Sequence, residues 1–318
     1  MNRISARTAL LMTVPPILWA GNAVVGRLVV GSVPPLTLNF LRWLLAGLIL
    51  LPLAWRVFTD PRAITSRWRH LLLLGLLGVG SYNSLQYLAL VTTTPINVTL
   101  IAASVPVWML MVGALLHGEH PTRRQLLGAL LSLAGVMLVV VRGDLRTLAD
   151  VEFVRGDLYV VAASIAWAFY SWMLARPPAS MQPPARPDWD WAEILMVQII
   201  FGLMGSGLAA GVEQSFDPAP IRWNGWVVAA LLYVAIGASI VAYRCWGLGV
   251  QRGGPALAAF FSNLTPLFAT LLSAALLGEL PRWYHGAAFA LIIGGIVASS
   301  QRGRVTPPTT PVVTPTDR

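Results

Sequence analysis

Aromatic and polar side chains occur together inside stretches of the chain that are otherwise apolar. Tyr82 and Gln86 are one helical turn apart, and Tyr243 and Trp246 stand 160 positions after Asn83 and Gln86. Aromatic walls that carry a few placed polar groups suit a planar or amphipathic small molecule. These residues predict a binding surface, although Tyr and Trp near the ends of apolar spans also form interfacial belts.

Two further pairs have the same character. Trp19 and Asn22 lie three residues apart on one helical face, downstream of two consecutive prolines that disturb backbone hydrogen bonding. Trp167 and Tyr170 occupy the corresponding place in the second half of the chain. Polar side chains in a membrane normally face the bundle interior or a watery cavity. The alternative is that they pack or hydrogen-bond between helices.

A third group surrounds Pro106. Ser104 and Trp108 share a helical face beside this proline, and Pro266 is its counterpart. Prolines in mid-membrane helices free backbone carbonyls and can act as flexible points, so we predict hinges at Pro106 and Pro266, with static kinks as the alternative. The candidate substrate-binding residues are Trp19, Asn22, Tyr82, Gln86, Ser104, Trp108, Trp167, Tyr170, Tyr243 and Trp246.

Groups that would support catalysis are not clustered in the sequence. The nearest approach is Glu119 between two histidines, but Glu279 matches it 160 residues later, which favours a structural loop. In such a loop we expect Glu119 to pair with Arg123 and Glu279 with Arg282. We therefore expect no catalytic residue, no metal site and no cofactor.

Composition indicates an integral membrane protein. Of 318 residues, 56% are hydrophobic and 11% are charged, against about 25% charged in a soluble domain. A membrane-spanning helix needs about 20 apolar residues. Ten stretches qualify or nearly so, at roughly 8–28, 36–57, 71–91, 96–116, 125–141, 157–175, 192–212, 224–249, 256–277 and 283–300. The fifth and tenth, rich in Leu and Gly, are expected to be packing scaffold.

The arginines predict the orientation of these spans. With ten spans both termini share one side, and fourteen of the 22 basic residues fall on that side against six on the other. Because cytoplasmic loops carry the excess of basic residues, we expect both termini in the cytoplasm. This topology, with anionic lipid, also accounts for the net charge of +9 without a nucleic-acid partner.

Arg42 and Arg244 are the two basic residues within spans. Burial at the bilayer centre costs about 2.5 to 3.5 kcal/mol on insertion scales. Each lies a few residues from a span end, so we expect the side chains to snorkel to the interface. The alternative is a carboxylate anchor or an inter-helix lock. All thirteen acidic residues fall in loops or at span ends.

Residues 95 to 143 are echoed without a gap at 255 to 303. Eight landmarks coincide, namely Pro95, Pro106, Gly118, Glu119, Pro121, Gly135, Arg142 and Gly143 with Pro255, Pro266, Gly278, Glu279, Pro281, Gly295, Arg302 and Gly303. Five spans per copy force the second copy to enter the bilayer from the opposite face. The sequence thus predicts inverted repeats, which are typical of alternating-access carriers with a central site. A channel would need a continuous polar stripe, which no span has.

Several short motifs carry a family resemblance. They are Leu18-Trp19-Ala20-Gly21-Asn22 ending in Arg27, Pro35 followed by Arg42, Gly118-Glu119-x-Pro121 with its copy Gly278-Glu279-x-Pro281, and Ala166-Trp167-Ala168-Phe169-Tyr170 ending in Arg176. In order, spacing and duplication the chain resembles the drug/metabolite transporter superfamily, in its ten-helix branch with two EamA-type repeats. Within it, the chain is most similar to bacterial inner-membrane exporters of amino acids, including the YddG-like aromatic amino-acid exporters.

The resemblance implies an all-α integral membrane protein with ten transmembrane helices in two inverted five-helix repeats. We place the repeats at 8–143 and 157–303, with an inter-repeat loop at 144–156 and a Pro/Thr-rich disordered tail at 304–318.

The function expected is export of small zwitterionic metabolites, aromatic amino acids first, by alternating access through a cavity between the repeats. An importer or exchanger of other metabolites, including sugar phosphates, would share the fold, as would drug efflux. Small multidrug-resistance relatives use a first-span glutamate, which this chain lacks, so antiport of lipophilic cations is disfavoured. The expected partners are a small-molecule substrate and membrane lipid, and a monomer is compatible with the sequence.

Overall fold

The computed structural model describes residues 5–29, 31–90, 92–93, 95–144, 146, 152–277 and 282–300, and these ranges contain helices and no strand. The helices are α1 (Ala6–Leu28), α2 (Pro35–Ala54, extended by a 3-10 segment, Trp55–Thr59), α3 (Trp68–Leu74, π-helical Gly75–Ser81 and Tyr82–Leu90), α4 (Pro95–Ala102 and Val105–His117), α5 (Arg123–Val140), α6 (Arg155–Ala175), α7 (Trp191–Phe216), α8 (Gly225–Tyr233, π-helical Val234–Val241 and Ala242–Gly253), α9 (Pro255–Ser262 and Thr265–Leu277) and α10 (Trp283–Ser300). Short helices, Pro61–Thr65 and Ala179–Met181, lie in the α2–α3 and α6–α7 connections.

The helices are those of a multi-pass membrane protein. Within the described ranges, nine of them, α2 to α10, are long and apolar enough to cross a membrane. Helix α1 is not among these nine, so the count of ten spans stays a prediction. The side chains that face outward from the bundle are largely apolar, with Leu10, Leu115 and Leu208 each more than two-thirds exposed. Such a surface fits a lipid environment.

Contacts between connections define one end of the bundle, which we call the arginine end. Arg67, before α3, donates to the carbonyls of Ser180 and Ala185, between α6 and α7, at 2.9 and 2.6 Å. Arg176, at the end of α6, pairs with Glu119, at the end of α4. Helices α4 and α6 therefore both finish at the arginine end.

The other end of the bundle, which we call the opposite end, is tied together in the same way. The Arg222 N–H donates to the Ser32 carbonyl at 2.9 Å, which joins the α1–α2 and α7–α8 connections. The Glu213 carboxylate accepts the Leu36 and Thr37 N–H groups at 2.8 and 2.7 Å. It thereby satisfies two donors at the start of α2 that lack intrahelical partners.

The two repeats run in opposite directions. Helix α1 ends beside the Ser32–Arg222 contact, so it starts at the arginine end, where Met12 packs against Gly249 and Gly253 near the end of α8. Helix α9 follows at Pro255 and therefore begins at the arginine end, whereas its counterpart α4 finishes there. The expected inversion of the repeats is present in the structure.

The repeats also share their irregularities. Helix α4 is interrupted at residues 103–104 and α9 at 263–264, which are equivalent positions. The π-helical segments Gly75–Ser81 and Val234–Val241 are equivalent as well. A π segment breaks the i→i−4 ladder and is often found at functional sites. These shared breaks lie in the same helices as many of the polar and aromatic candidates.

Helices α5 and α10 pack backbone against backbone. A Cβ at Gly128 would lie 2.7 Å from the Gly295 carbonyl oxygen, and a Cβ at Gly295 would lie 2.6 Å from the Gly128 carbonyl oxygen. Small residues that allow such close approach are typical of helix contacts in membranes. This pair joins the last helix of each repeat.

The expectation that Arg42 snorkels to the interface is wrong. Its side chain is 1% exposed, and its guanidinium donates from Nε to the Ser239 Oγ at 3.0 Å and from Nη2 to the Ala238 carbonyl at 3.4 Å. The expectation used only the position of Arg42 near the end of α2. It could not take into account that α8 covers this face of α2. Arg244 differs, since it is partly exposed and its guanidinium lies over the Trp191 ring at 4.0 Å.

The expected pairing of Glu119 with Arg123 is also wrong. Glu119 pairs with Arg176 instead, because Gly118 in the left-handed region (φ 66°) turns the chain at the end of α4. The matching residues Gly278, Glu279 and Pro281, the landmarks Arg302 and Gly303, and the tail at 304–318 lie outside the described residues.

Candidate functional site

A cavity of about 1210 Å³ lies between the two repeats. Helices α1, α3, α4, α5, α6, α8 and α9 contribute to its lining. It extends from a buried cluster of aromatic rings to exposed residues at the opposite end, among them Thr92, Asp144 and Glu152. The described lining therefore reaches the opposite end and includes no arginine of the arginine end.

Trp167 is at the centre of the aromatic cluster that closes the cavity. Its ring lies 4.8 to 5.5 Å from five other aromatic rings, centroid to centroid, in tilted or edge-on arrangements. Aromatic pairs of this kind contribute about 0.5 to 1.5 kcal/mol beyond the area they bury. We call this cluster the aromatic floor, and it consists of Trp19, Tyr82, Trp167, Tyr170, Tyr243 and Trp246.

Two backbone carbonyls of the π-helical segments hold the floor in place. The Tyr243 hydroxyl donates to the Gly78 carbonyl at 2.5 Å, and the Trp19 Nε1–H donates to the Ala238 carbonyl at 3.2 Å. Gly78 and Ala238 are equivalent residues of the two repeats. The irregular backbone of each π segment thus provides an acceptor for an aromatic side chain of the other repeat.

The two floor residues that do not line the cavity, Tyr170 and Trp246, are held by side-chain hydrogen bonds. The Tyr170 hydroxyl donates to Gln198 Oε1 at 2.9 Å, and the Trp246 Nε1–H donates to the Ser171 hydroxyl at 3.2 Å. All four residues are buried or nearly so. Because their polar groups are satisfied, these rings can be buried without leaving a donor unpaired.

At the opposite end, a buried carboxylate organises the wall of the cavity. Asp157, 3% exposed near the start of α6, accepts the Val154 N–H at 2.8 Å and the Asn97 side-chain amide at 3.1 and 3.2 Å. It also accepts the Thr93 hydroxyl. A carboxylate in the first turn is favoured by the helix dipole, and here it also joins α6 to the start of α4.

The chain matches the EamA-like transporter family over residues 6–141 and 154–301. It belongs to this family. The two matched segments are the two repeats whose inversion the structure shows, so the chain is a drug/metabolite transporter with two EamA-type units.

Three relatives cover most of this EamA-like transporter. An uncharacterised transporter of Archaeoglobus fulgidus is 28% identical over 94% of this chain and 99% of the relative. The aromatic amino acid exporter YddG of Ancylobacter novellus is 27% identical over 86% and 90%. The uncharacterised inner membrane transporter YedA of Escherichia coli K12 is 27% identical over 94% and 92%. One crystal structure superposes with a TM-score of 0.73 over 93% of this chain and 96% of that chain at 23% identity, which shows a shared fold.

The structure places the candidate residues of this transporter in three groups. The cavity lining contains Trp19, Asn22, Tyr82, Gln86, Trp167 and Tyr243. Tyr170 and Trp246 lie behind that lining, within the aromatic floor. Ser104 and Trp108 do not line the cavity, and the Trp108 Nε1–H donates to Ser104 Oγ at 3.0 Å.

The two proposed hinges lie at equivalent positions in the interrupted helices. Pro106 is buried at the start of the second part of α4, and Pro266 lines the cavity at the start of the second part of α9. Asn263, in the α9 interruption, donates to the Ala103 carbonyl at 3.2 Å and to Ser132 Oγ at 2.9 Å. The two interruptions are therefore in direct contact across the repeat boundary.

Sequence reasoning missed the wall at the opposite end. The sequence analysis does not single out Asn97, and the Asp157 network depends on contacts between the α3–α4 connection, α4 and α6 that no local pattern contains. The charged side chains of the lining, Arg142, Asp144 and Glu152, belong to connections or a helix end. Among the described residues, no three His, Cys, Asp or Glu side chains are grouped to hold a metal ion.

Proposed function

We propose that this transporter exports small zwitterionic metabolites, aromatic amino acids first, across a bacterial inner membrane by alternating access. The aromatic floor of the cavity carries this proposal. It offers ring faces and edges to a planar side chain, while Asn22, Asn83 and Gln86 supply amide groups to the same cavity lining. An apolar pocket with a few polar groups is suited to an amphipathic small molecule.

The names of two relatives, each 27% identical to this chain, support the same assignment. The Ancylobacter novellus relative is named an aromatic amino acid exporter, and the Escherichia coli relative is named an inner membrane transporter. Sugar phosphates are less well suited to this cavity, because Arg142 is the only basic side chain among the described lining residues. Phosphate sites normally present several such donors.

In the proposed topology the chain has ten spans with both termini in the cytoplasm. The arginine end then faces the cytoplasm, in keeping with the excess of arginines in its connections, and the cavity opens outward. Export requires the reverse state, in which the repeats rock about their central contact and the floor opens toward the arginine end. The interruptions at Pro106 and Pro266 are the flexible points we assign to this motion.

The test is counterflow in proteoliposomes that contain the purified protein. Vesicles preloaded with unlabelled phenylalanine, alanine, glutamate or glucose 6-phosphate take up the matching labelled compound, with protein-free liposomes as the control. We expect competable uptake that is greatest for the aromatic amino acids. Absence of competable flux for every amino acid would overturn the proposal.

The same vesicles test coupling. The carboxylates of the described cavity lining, Asp144 and Glu152, lie at the opposite end and not beside the aromatic floor. We therefore expect the carrier to equilibrate its substrate without a proton gradient. Uptake is measured with and without an imposed pH gradient, at zero membrane potential. A steep dependence of net flux on the pH gradient would contradict the uncoupled mechanism while leaving the substrate assignment intact.

A further inference from the structure

Arg42 is a buried cation without a counterion among the described residues. Its side chain is 1% exposed, its donors reach a hydroxyl and a carbonyl, and its Nη1 has no hydrogen-bond partner. No described carboxylate lies within salt-bridge distance of its guanidinium. Charges inside a membrane protein are costly and usually functional. The fold therefore keeps a positive charge that its own side chains leave uncompensated.

This charge lies directly behind the aromatic floor. The Ala238 carbonyl that accepts Arg42 Nη2 also accepts the Trp19 Nε1–H, and the Trp19 indole lines the cavity. On the other side, the Arg42 guanidinium carbon lies 5.2 Å from the ring centroid of Trp43, which packs 4.8 Å from the ring of Tyr243, another lining residue. One layer of side chains separates the guanidinium from the cavity.

The opposite end of the cavity has the reverse balance of charge. Its charged lining residues are two carboxylates, Asp144 and Glu152, and one guanidinium, Arg142. The buried carboxylate of Asp157 stands close behind the same wall. Among the described residues, the cavity thus has a guanidinium behind its floor, whereas carboxylates enter its lining only toward the opposite end.

We propose that Arg42 determines the charge selectivity of this carrier. A zwitterion binds with its side chain packed on the aromatic floor, its carboxylate on the side nearer Arg42 and its ammonium toward the opposite end, while an amine that lacks the carboxylate is rejected. The proposal rests on the proposed transport of amino acids, whose orientation and head-group recognition it specifies. In a medium of low dielectric constant the field of an unneutralised guanidinium acts across a layer of side chains, so Arg42 selects without touching the substrate.

Two pairs of variants separate charge from structure. Arg42→Gln removes the charge, and Arg42→Lys keeps it. Ser239→Asp places a carboxylate beside the guanidinium, which neutralises the charge while Arg42 remains, and Ser239→Asn is its uncharged control. Arg244→Gln is the matched control for loss of a guanidinium, because Arg244 packs on Trp191 and does not line the cavity.

The measurement is the dissociation constant of the purified protein for phenylalanine, 3-phenylpropionate and 2-phenylethylamine, by titration calorimetry. We expect the wild type to bind the two carboxylates more tightly than the amine. Arg42→Gln and Ser239→Asp should reduce the ratio of the amine and carboxylate dissociation constants by on the order of tenfold. Arg42→Lys, Ser239→Asn and Arg244→Gln should preserve the ratio.

An unchanged ratio in a folded Arg42→Gln or Ser239→Asp protein would overturn the proposal, and either variant suffices if the other fails to fold. So would an equal loss in Arg244→Gln. The proposed function fails separately. If the wild type transports no amino acid but binds 3-phenylpropionate more tightly than 2-phenylethylamine, and this preference depends on Arg42, the proposed amino-acid export is wrong. The proposed role of Arg42 in charge selectivity is then still supported.

Discussion

Trp167 makes more ring contacts than any other residue of the aromatic floor. It is 2% exposed, contacts every other ring of the aromatic floor, and lines the cavity with its own indole. Its neighbours are held by hydrogen bonds to the backbone or to other side chains, whereas Trp167 is held by packing. Removing its ring would leave a void at the point where both repeats meet.

We therefore predict that Trp167→Ala lowers the free energy of unfolding by about 3 to 5 kcal/mol and abolishes most of the aromatic amino-acid binding. Trp167→Phe, which keeps a ring, should retain part of both. Thermal denaturation in detergent and the phenylalanine dissociation constant are the measurements.

Trp172→Phe is the control for this prediction. Trp172 is equally buried in α6, but its Nε1–H donates to the Met109 carbonyl at 2.8 Å, away from the cavity lining. Its replacement should cost about 1 to 3 kcal/mol of stability, because the buried Met109 carbonyl loses this donor, and should leave phenylalanine affinity unchanged. Equal losses of affinity in the two tryptophan variants would show that Trp167 has no special role in binding.

At the scale of residues, the sequence indicated the aromatic candidates and not the roles of the charges. An aromatic or polar residue in an apolar span is visible from composition alone. The burial of Arg42 and the partner of Glu119 depend on which neighbouring helix covers them. Neither can be read from distance along the chain, and both sequence expectations were wrong for that reason.

At the scale of elements, the helices divide into those that shape the cavity and those that join the repeats. Helices α3, α4, α8 and α9 contain the π segments and interruptions, and each contributes to the cavity lining. Helices α5 and α10 are regular and pack at Gly128 and Gly295. Only residues near the end of α5 reach the cavity.

This division predicts opposite effects of two glycine substitutions. Gly128→Ala should lower the melting temperature, because its Cβ would lie 2.7 Å from the Gly295 carbonyl oxygen. Gly294→Ala should leave it unchanged or raise it, because its Cβ would have its nearest neighbour at 4.0 Å and alanine is the better helix former by about 1 kcal/mol.

Thermal unfolding in detergent measures both variants, and phenylalanine affinity should be unaffected in each while the protein is folded. A Gly128→Ala protein as stable as the wild type would mean that α5 and α10 can separate without cost. Only Gly295 of these glycines is a landmark of the repeat, and the roles of Gly128 and Gly295 become visible only from the pairing of the two helices.

At the scale of the whole molecule, the asymmetry between the two ends is the main feature. The cavity reaches one end, and ion pairs such as Arg176–Glu119 join the connections at the other. Such exposed pairs contribute little stability singly, about 0 to 1 kcal/mol. The proposed alternating-access cycle requires contacts at the arginine end that can break at this small cost.

The proposed orientation predicts which end is accessible from outside the cell. In a Cys245→Ser background, which removes the single cysteine, a cysteine at the exposed Glu152 should react in intact cells with a membrane-impermeant maleimide. A cysteine at the exposed Arg62, at the arginine end, should react only after permeabilisation. The reverse pattern would place both termini outside the cytoplasm and turn the cavity inward.

The sequence by itself determined the membrane class, the duplication and, through the odd number of apolar stretches per copy, the inversion of the repeats. These follow from composition and period, which are properties of the chain. The tertiary structure decided which aromatic rings meet, that Ser104 and Trp108 are not part of the described cavity lining, and that Arg42 is buried behind its floor. Those facts depend on helix rotation and on the π segments and interruptions, which are set by contacts between helices far apart in sequence.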